Sequence, residues 1–91
     1  MIVSFRHKGL EEFYRTGSKR GIQAAHATRL NNLLTILDTA NGPEALPYMF
    51  RPHPLVGQRG GYWSMRVNGN WRLTFHFLGQ DVELLDYEDY H

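Results

Sequence analysis

The sequence predicts an α+β fold, in which an N-terminal strand and two helices pack on an antiparallel β-meander. Three observations predict it. Apolar residues recur at helical spacing from Leu10 to Ala40, and the period falls to two after Pro54. Clusters of Gly, Asn and Pro fall between these segments, where turns belong. A run of helices followed by a run of strands indicates α+β rather than alternating α/β. A length of 91 residues suits one domain, 1–91. The hydrophobic share of 42% can furnish its core, which argues against disorder.

The elements follow in order. Met1, Val3 and Phe5 alternate with Ile2 and Ser4, the pattern of a short strand. Leu10, Phe13 and Tyr14 recur at helical spacing until Thr16-Gly17 stops them. The segment Ile22 to Ala40 predicts the longer helix, with Ala25, Leu30, Leu33, Leu34 and Leu37 tracing one stripe. Asn41-Gly42-Pro43 ends it, because Gly suits a left-handed cap and Pro cannot continue a helix. Beyond Pro54, Trp63, Met65 and Val67 mark one strand, and Trp71, Leu73, Phe75 and Phe77 mark the next. Asp81 to Tyr87 forms the third, after Gly79-Gln80.

Register follows from keeping apolar residues on one face. A three-residue loop, Asn68-Gly69-Asn70, would pair Val67 with Trp71 and Met65 with Leu73, with Asn70 in the left-handed region. A two-residue loop at Gly79-Gln80 would pair Phe77 with Val82 and Phe75 with Leu84. The other face then gathers Tyr62, Ser64, Arg66, Arg72, Thr74 and His76, with Arg66 beside Arg72. On its far flank Arg72 would meet Tyr87, so that Glu88-Asp89-Tyr90-His91 begins next to the arginine.

Charge distribution narrows the function. Net charge is only +1, but from Ala45 to Gln80 the chain carries Arg51, Arg59, Arg66 and Arg72 and no acid. The carboxylates Asp81, Glu83, Asp86, Glu88 and Asp89 crowd the segment that follows. The middle of the chain can therefore face an anion such as a phosphate backbone. No cysteine is present, which excludes a disulfide or thiolate metal site. No run approaches the length of a membrane span, and Met1 leads into Ile-Val-Ser-Phe without a charged and apolar leader. The expectation is a cytoplasmic protein without membrane association.

The arginine, histidine, acid and tyrosine on one face suit cleavage of RNA by its own 2′-hydroxyl. One group takes the hydroxyl proton, another protonates the departing 5′-oxygen, and a cation stabilises the charge growing on phosphorus. Histidine transfers protons near neutral pH, and the arginine fork matches phosphate oxygens. Tyrosine can stack on a splayed base. This chemistry needs no metal or other cofactor, and the histidines lack ligand spacing such as His-x-x-x-His. Plainer readings stand beside this one. His53, between two prolines, is then a loop residue, His76 a partner of Glu83, and His7 and His26 surface or boundary residues.

Four segments carry a resemblance: His-Pro-Leu at 53–55, Gly-Tyr-Trp-Ser at 61–64, Asn-Trp-Arg at 70–72 and Asp-Tyr-Glu-Asp-Tyr-His at 86–91. With His7-Lys8-Gly9-Leu10 and Leu37-Asp38-Thr39-Ala40, they make the whole chain resemble the HigB toxins (plasmid-maintenance killer proteins) of the RelE/ParE superfamily. The resemblance implies a RelE/ParE-like fold and a ribosome-dependent endoribonuclease that cuts mRNA in the decoding site of the small ribosomal subunit and so inhibits translation. It implies as partners a HigA-like helix-turn-helix antitoxin and, through that antitoxin, operator DNA.

Carried over residue by residue, the catalytic matches are His53, Arg72, Asp89, Tyr90 and His91. Arg72 would stabilise the phosphate, His53 and His91 would share the proton transfers in either order, Asp89 would poise a histidine, and Tyr90 would hold a base or the backbone. Arg59, Arg66, Thr74 and His76 would contact RNA. The pattern has a lysine after His-Pro-Leu where this chain has Val56, which leaves Arg59 to substitute. Two alternatives share the architecture: a ParE-like inhibitor of DNA gyrase that cuts no RNA, and a regulatory module that binds only antitoxin and operator.

Overall fold

The computed structural model describes residues 1–89; Tyr90 and His91 lie outside the described residues. Helix α1 (Lys8–Thr16) starts where the His7 ring nitrogen accepts the Leu10 N–H, and it ends at Gly17 in the left-handed region. Helix α2 (Ala27–Thr39) is shorter than its apolar stripe predicts. Residues 24–26 form a 3₁₀ turn instead, leaving Ala25 exposed. Tertiary contacts hold that turn: the Gln23 N–H donates to the Tyr87 hydroxyl, and His26 Nδ1 lies 2.6 Å from the same oxygen. His26 is therefore buried, not a surface residue.

Four antiparallel strands follow in the order β1 (His53–Pro54), β2 (Tyr62–Asn68), β3 (Trp71–Leu78) and β4 (Asp81–Asp89). One sheet face meets the helices. Leu30, Leu33, Leu34 and Leu37 of α2 and Leu10 of α1 are buried with Met65, Leu73, Phe75, Val82 and Leu85 of the sheet. Asp38 ties the layers together, accepting the Ile2 N–H at 3.0 Å and the Tyr14 hydroxyl at 2.7 Å. The N-terminal segment runs parallel to β4 through two isolated bridges, Ile2 to Val82 and Phe5 to Leu85, rather than as a full strand. Ile2 points into the core, and Met1 and Val3 point out.

Two irregularities revise the register. In the first hairpin, Met65–Leu73 and Arg66–Arg72 pair as the sequence predicts, but Asn68 pairs with Trp71 and Val67 is the extra residue of a bulge. The left-handed position at the turn belongs to Gly69, not Asn70, since glycine adopts positive φ without a steric penalty. In the second hairpin, Phe77–Val82 and His76–Glu83 pair as the pattern implies, and then the register slips. Leu84 sits at φ 55° instead of pairing with Phe75. Its N–H donates to Ser4 Oγ, so the N-terminal segment satisfies the group that the ladder releases. Beyond the slip, Leu73 faces Tyr87 and Arg72 faces Glu88.

Among the described residues, no helix is long and apolar enough to cross a membrane.

Candidate active site

Three cross-strand rows make up the face turned away from the helices. Tyr62, His76 and Glu83 form the first; His53, Ser64, Thr74 and Asp86 the second; Arg66, Arg72 and Glu88 the third. The pairing of His53 with Ser64 brings His53 onto this face at the exposed sheet edge. Two strand spacings, roughly 10 Å, separate β1 from β3.

Arg59 folds over the centre. After Val56, which is exposed, the 3₁₀ turn at 57–59 brings the Arg59 guanidinium onto Glu88, with Nη2 to Oε2 at 2.6 Å and Nη1 to Oε1 at 3.2 Å. The same Nη2 donates to Thr74 Oγ1 at 3.1 Å, and that hydroxyl donates to Glu88 through a very short contact. Thr74 is therefore buried under Arg59, with its hydroxyl shared between Arg59 and Glu88. His76 Nδ1 lies 2.9 Å from Glu83 Oε2, and its ring packs against Tyr62. Its place is beside Glu83, as the plainer reading of that residue expects.

The arginine pair is different. Like charges opposed across strands are unfavourable unless something compensates them. Arg72 faces Glu88, yet that carboxylate bonds to Arg59 and Thr74. The Arg72 guanidinium donates to the carbonyl oxygens of Gly69, at 2.8 Å, and Trp71, at 3.1 Å. Arg66 has no hydrogen-bond or ion-pair partner among the described residues. Among the described residues no carboxylate neutralises these two adjacent positive charges, an arrangement that selects an anion.

Glu88 is the participant that the sequence did not reveal. Burial pushes its carboxyl up, but hydrogen bonds from Arg59 and Thr74 and the charges of Arg59 and Arg6 outweigh burial and hold it below its ordinary 4.5. A carboxyl lowered on folding contributes stability above its unfolded value, and that contribution is lost as pH falls through the folded value. Glu88→Gln is therefore expected to lower the melting temperature at neutral pH. The gap to wild type should close as pH drops below about 4.5. Thermal unfolding of both proteins from about pH 7 to about pH 3 checks this. A gap that persists at the acid end would assign the loss to packing instead of charge.

Tyr87 moves the other way. A one-residue slip takes it off the arginine face and into the core, where it packs on Trp71 with ring centroids 4.5 Å apart. Burial raises its phenol pKa. Asp89 ends β4, exposed and opposite Trp71, one position beyond the row of Arg72. Tyr90 and His91, the other expected catalytic residues, lie outside the described residues. Among the described residues, no group of three or more His, Asp or Glu side chains is placed to hold a metal ion.

With this face in view, comparison with known proteins supplies the family. The family model for HigB-like toxin, described as a RelE-like toxin of the type II toxin–antitoxin system HigB, matches residues 3–91. The chain belongs to the HigB family. It is 45% identical over 92 residues to a Proteus vulgaris protein named Endoribonuclease HigB, with all of both chains covered. It is 35% identical over 94 residues to Toxin HigB-1 of Vibrio cholerae, covering 100% of this chain and 98% of the relative. The fold is similar to that in a crystal structure of a point mutant of YafQ from Escherichia coli. That match has a TM-score of 0.64 and 21% identity, and it covers 98% of this chain and 91% of YafQ. The α+β architecture of this HigB-family chain is thus shared with a solved structure, and a type II toxin has an antitoxin as partner.

Proposed function

We propose that this HigB-family toxin is an endoribonuclease that cuts mRNA on the ribosome by attack of the 2′-hydroxyl on the adjacent phosphorus. The observation that carries the reading is the Arg66–Arg72 pair on the face that also holds His53, with the facing carboxylate drawn away by Arg59. Full-length likeness to a protein named Endoribonuclease HigB supports the reaction class.

In the reaction, the 2′-oxygen forms a bond to phosphorus as the bond from phosphorus to the 5′-oxygen breaks. One histidine accepts the 2′-hydroxyl proton and another protonates the departing 5′-oxygen; His53 and His91 take these roles in either order. Arg72, with Arg66 beside it, meets the charge that accumulates on the phosphoryl oxygens. Asp89 poises a histidine and Tyr90 holds a base or the backbone. These steps are independent of a metal. Arg59 enters the scheme as the clamp on Glu88, which keeps that carboxylate away from the incoming phosphate.

The whole chain acts as one domain in the cytoplasm, restrained by a HigA-like helix-turn-helix antitoxin that carries the complex to operator DNA. With few cations on the face, free RNA is held weakly, and the ribosome supplies the positioning. Cleavage is therefore expected to be slow on naked message and at least about a hundredfold faster on ribosomes programmed with it, the gain from one positioned reacting group being typically this large or larger. Primer extension on both substrates measures the difference. Equal rates would overturn ribosome dependence, and gyrase-dependent DNA breaks with intact message would replace this reading with gyrase inhibition.

A further inference from the structure

We propose that the turn at residues 48–51 is a nucleotide subsite, gripping the RNA beside the phosphate that His53 addresses; the inference rests on the ribonuclease reading. The turn is built rigidly around one buried anchor. Phe50 is 6% exposed and carries the Arg29 guanidinium 4.8 Å from its ring centre. Pro47 and Pro52 flank the turn, and the Phe50 and Arg51 N–H groups close it onto the carbonyls of Pro47 and Tyr48. This scaffold holds Tyr48 92% exposed and Met49 72% exposed. A tyrosine and a methionine fixed outward on a stiff turn make a stacking platform awaiting a flat partner.

The surroundings specify that partner. Tyr48, Met49, Arg51, Pro52 and His53 line one open depression of about 440 Å³. That volume lies within the range of small-ligand sites, about 300–1,000 Å³. His53, proposed to transfer a proton at the scissile phosphate, forms one wall, so whatever fills the depression adjoins the reaction. Arg51 brings a positive charge with no ion-pair partner among the described residues. It does so from a left-handed backbone, φ 51°, that disfavours a residue with a Cβ. Strain of this kind concentrates at functional sites. An aromatic face, a thioether and a guanidinium beside the cleaved bond match a base and its phosphate. An amphipathic helix of a protein partner would need a longer apolar groove.

The test uses ribosomes programmed with a message that carries 2-aminopurine next to the mapped cut and a 2′-deoxy nucleotide at the cut itself. Wild type and Tyr48→Phe should each quench the 2-aminopurine, and Tyr48→Ala should not. On cleavable message, Tyr48→Ala should raise KM roughly tenfold, the loss expected for one base–aromatic stack, with kcat little changed. Tyr48→Phe should restore it. Arg51→Asn, which tolerates the left-handed backbone, should also raise KM. If wild type cuts message but Tyr48→Ala keeps its KM and its quench, the subsite is overturned while the ribonuclease reading stands. Unchanged RNA readouts with weakened binding of the purified antitoxin would assign the turn to the antitoxin and overturn the proposal. If wild type cuts no RNA, both readings fall together.

Discussion

Removing His91 is expected to abolish growth arrest and mRNA cleavage while leaving the protein folded. Strand β4 runs past Arg72, with Glu88 facing it and Asp89 one position further on, so the described residues end at the arginine end of the site. The mechanism proposed above gives His91 one of the two proton transfers. Losing such a group typically costs about a hundredfold to ten-thousandfold in rate. Among the described residues the last side chain of the apolar core is Tyr87, and a terminal residue ordinarily buries little, so truncation after Tyr90 should cost the fold little. The full chain, the chain ending at Tyr90 and His91→Gln would be expressed without antitoxin, and growth and message ends compared. Melting temperatures of the purified proteins should agree closely. A truncated chain that still arrests growth and still cuts message would move the proton transfers to His53 and another group.

The accuracy of the sequence reading varies along the chain for physical reasons. Periodicity identifies both helices, because Leu30, Leu33, Leu34 and Leu37 bury one stripe of α2 and Leu10 does the same for α1. It extends α2 too far toward Ile22, since the apolar pattern cannot register that Tyr87 holds Gln23 and His26 in a 3₁₀ turn. Pairing by burial locates Arg66 beside Arg72, because Met65 opposite Leu73 fixes the phase of that row.

The error in β4 has a specific cause. Strict alternation has no place for an extra residue, and Leu84 is one, held by Ser4 from the opposite end of the chain. A bulge supported by a contact across the fold leaves no local mark, and a slip of one residue exchanges the faces. Alternation alone consequently puts Tyr87 beside Arg72 and overlooks Glu88 as the partner of Arg59. The Leu84-Leu85 pair, two apolar residues in succession within an alternating run, is the one available signal. The edge strand at 53–54 is equally hidden, since two residues, one of them a proline, show no period.

Replacing Arg72 should separate activity from stability in sign as well as size. In the folded protein its guanidinium caps the turn through the carbonyls of Gly69 and Trp71, contacts that water can replace at a half-exposed site. Its charge stands opposite Arg66, a repulsion of about 0.2–1 kcal/mol that neutralisation relieves. Arg72→Gln should therefore melt at the wild-type temperature or slightly above. The reaction needs that charge where oxygen on phosphorus becomes more negative, and removal of one such preorganised donor costs about a hundredfold to a thousandfold in kcat. Arg72→Lys keeps the charge but loses the planar fork, and it should fall between the two. Single-turnover cleavage of ribosome-bound message, run beside thermal unfolding, reads both quantities. A loss of rate that tracks a loss of stability would make Arg72 a structural residue. Full activity in Arg72→Gln would leave Arg66 as the cation that meets the phosphate.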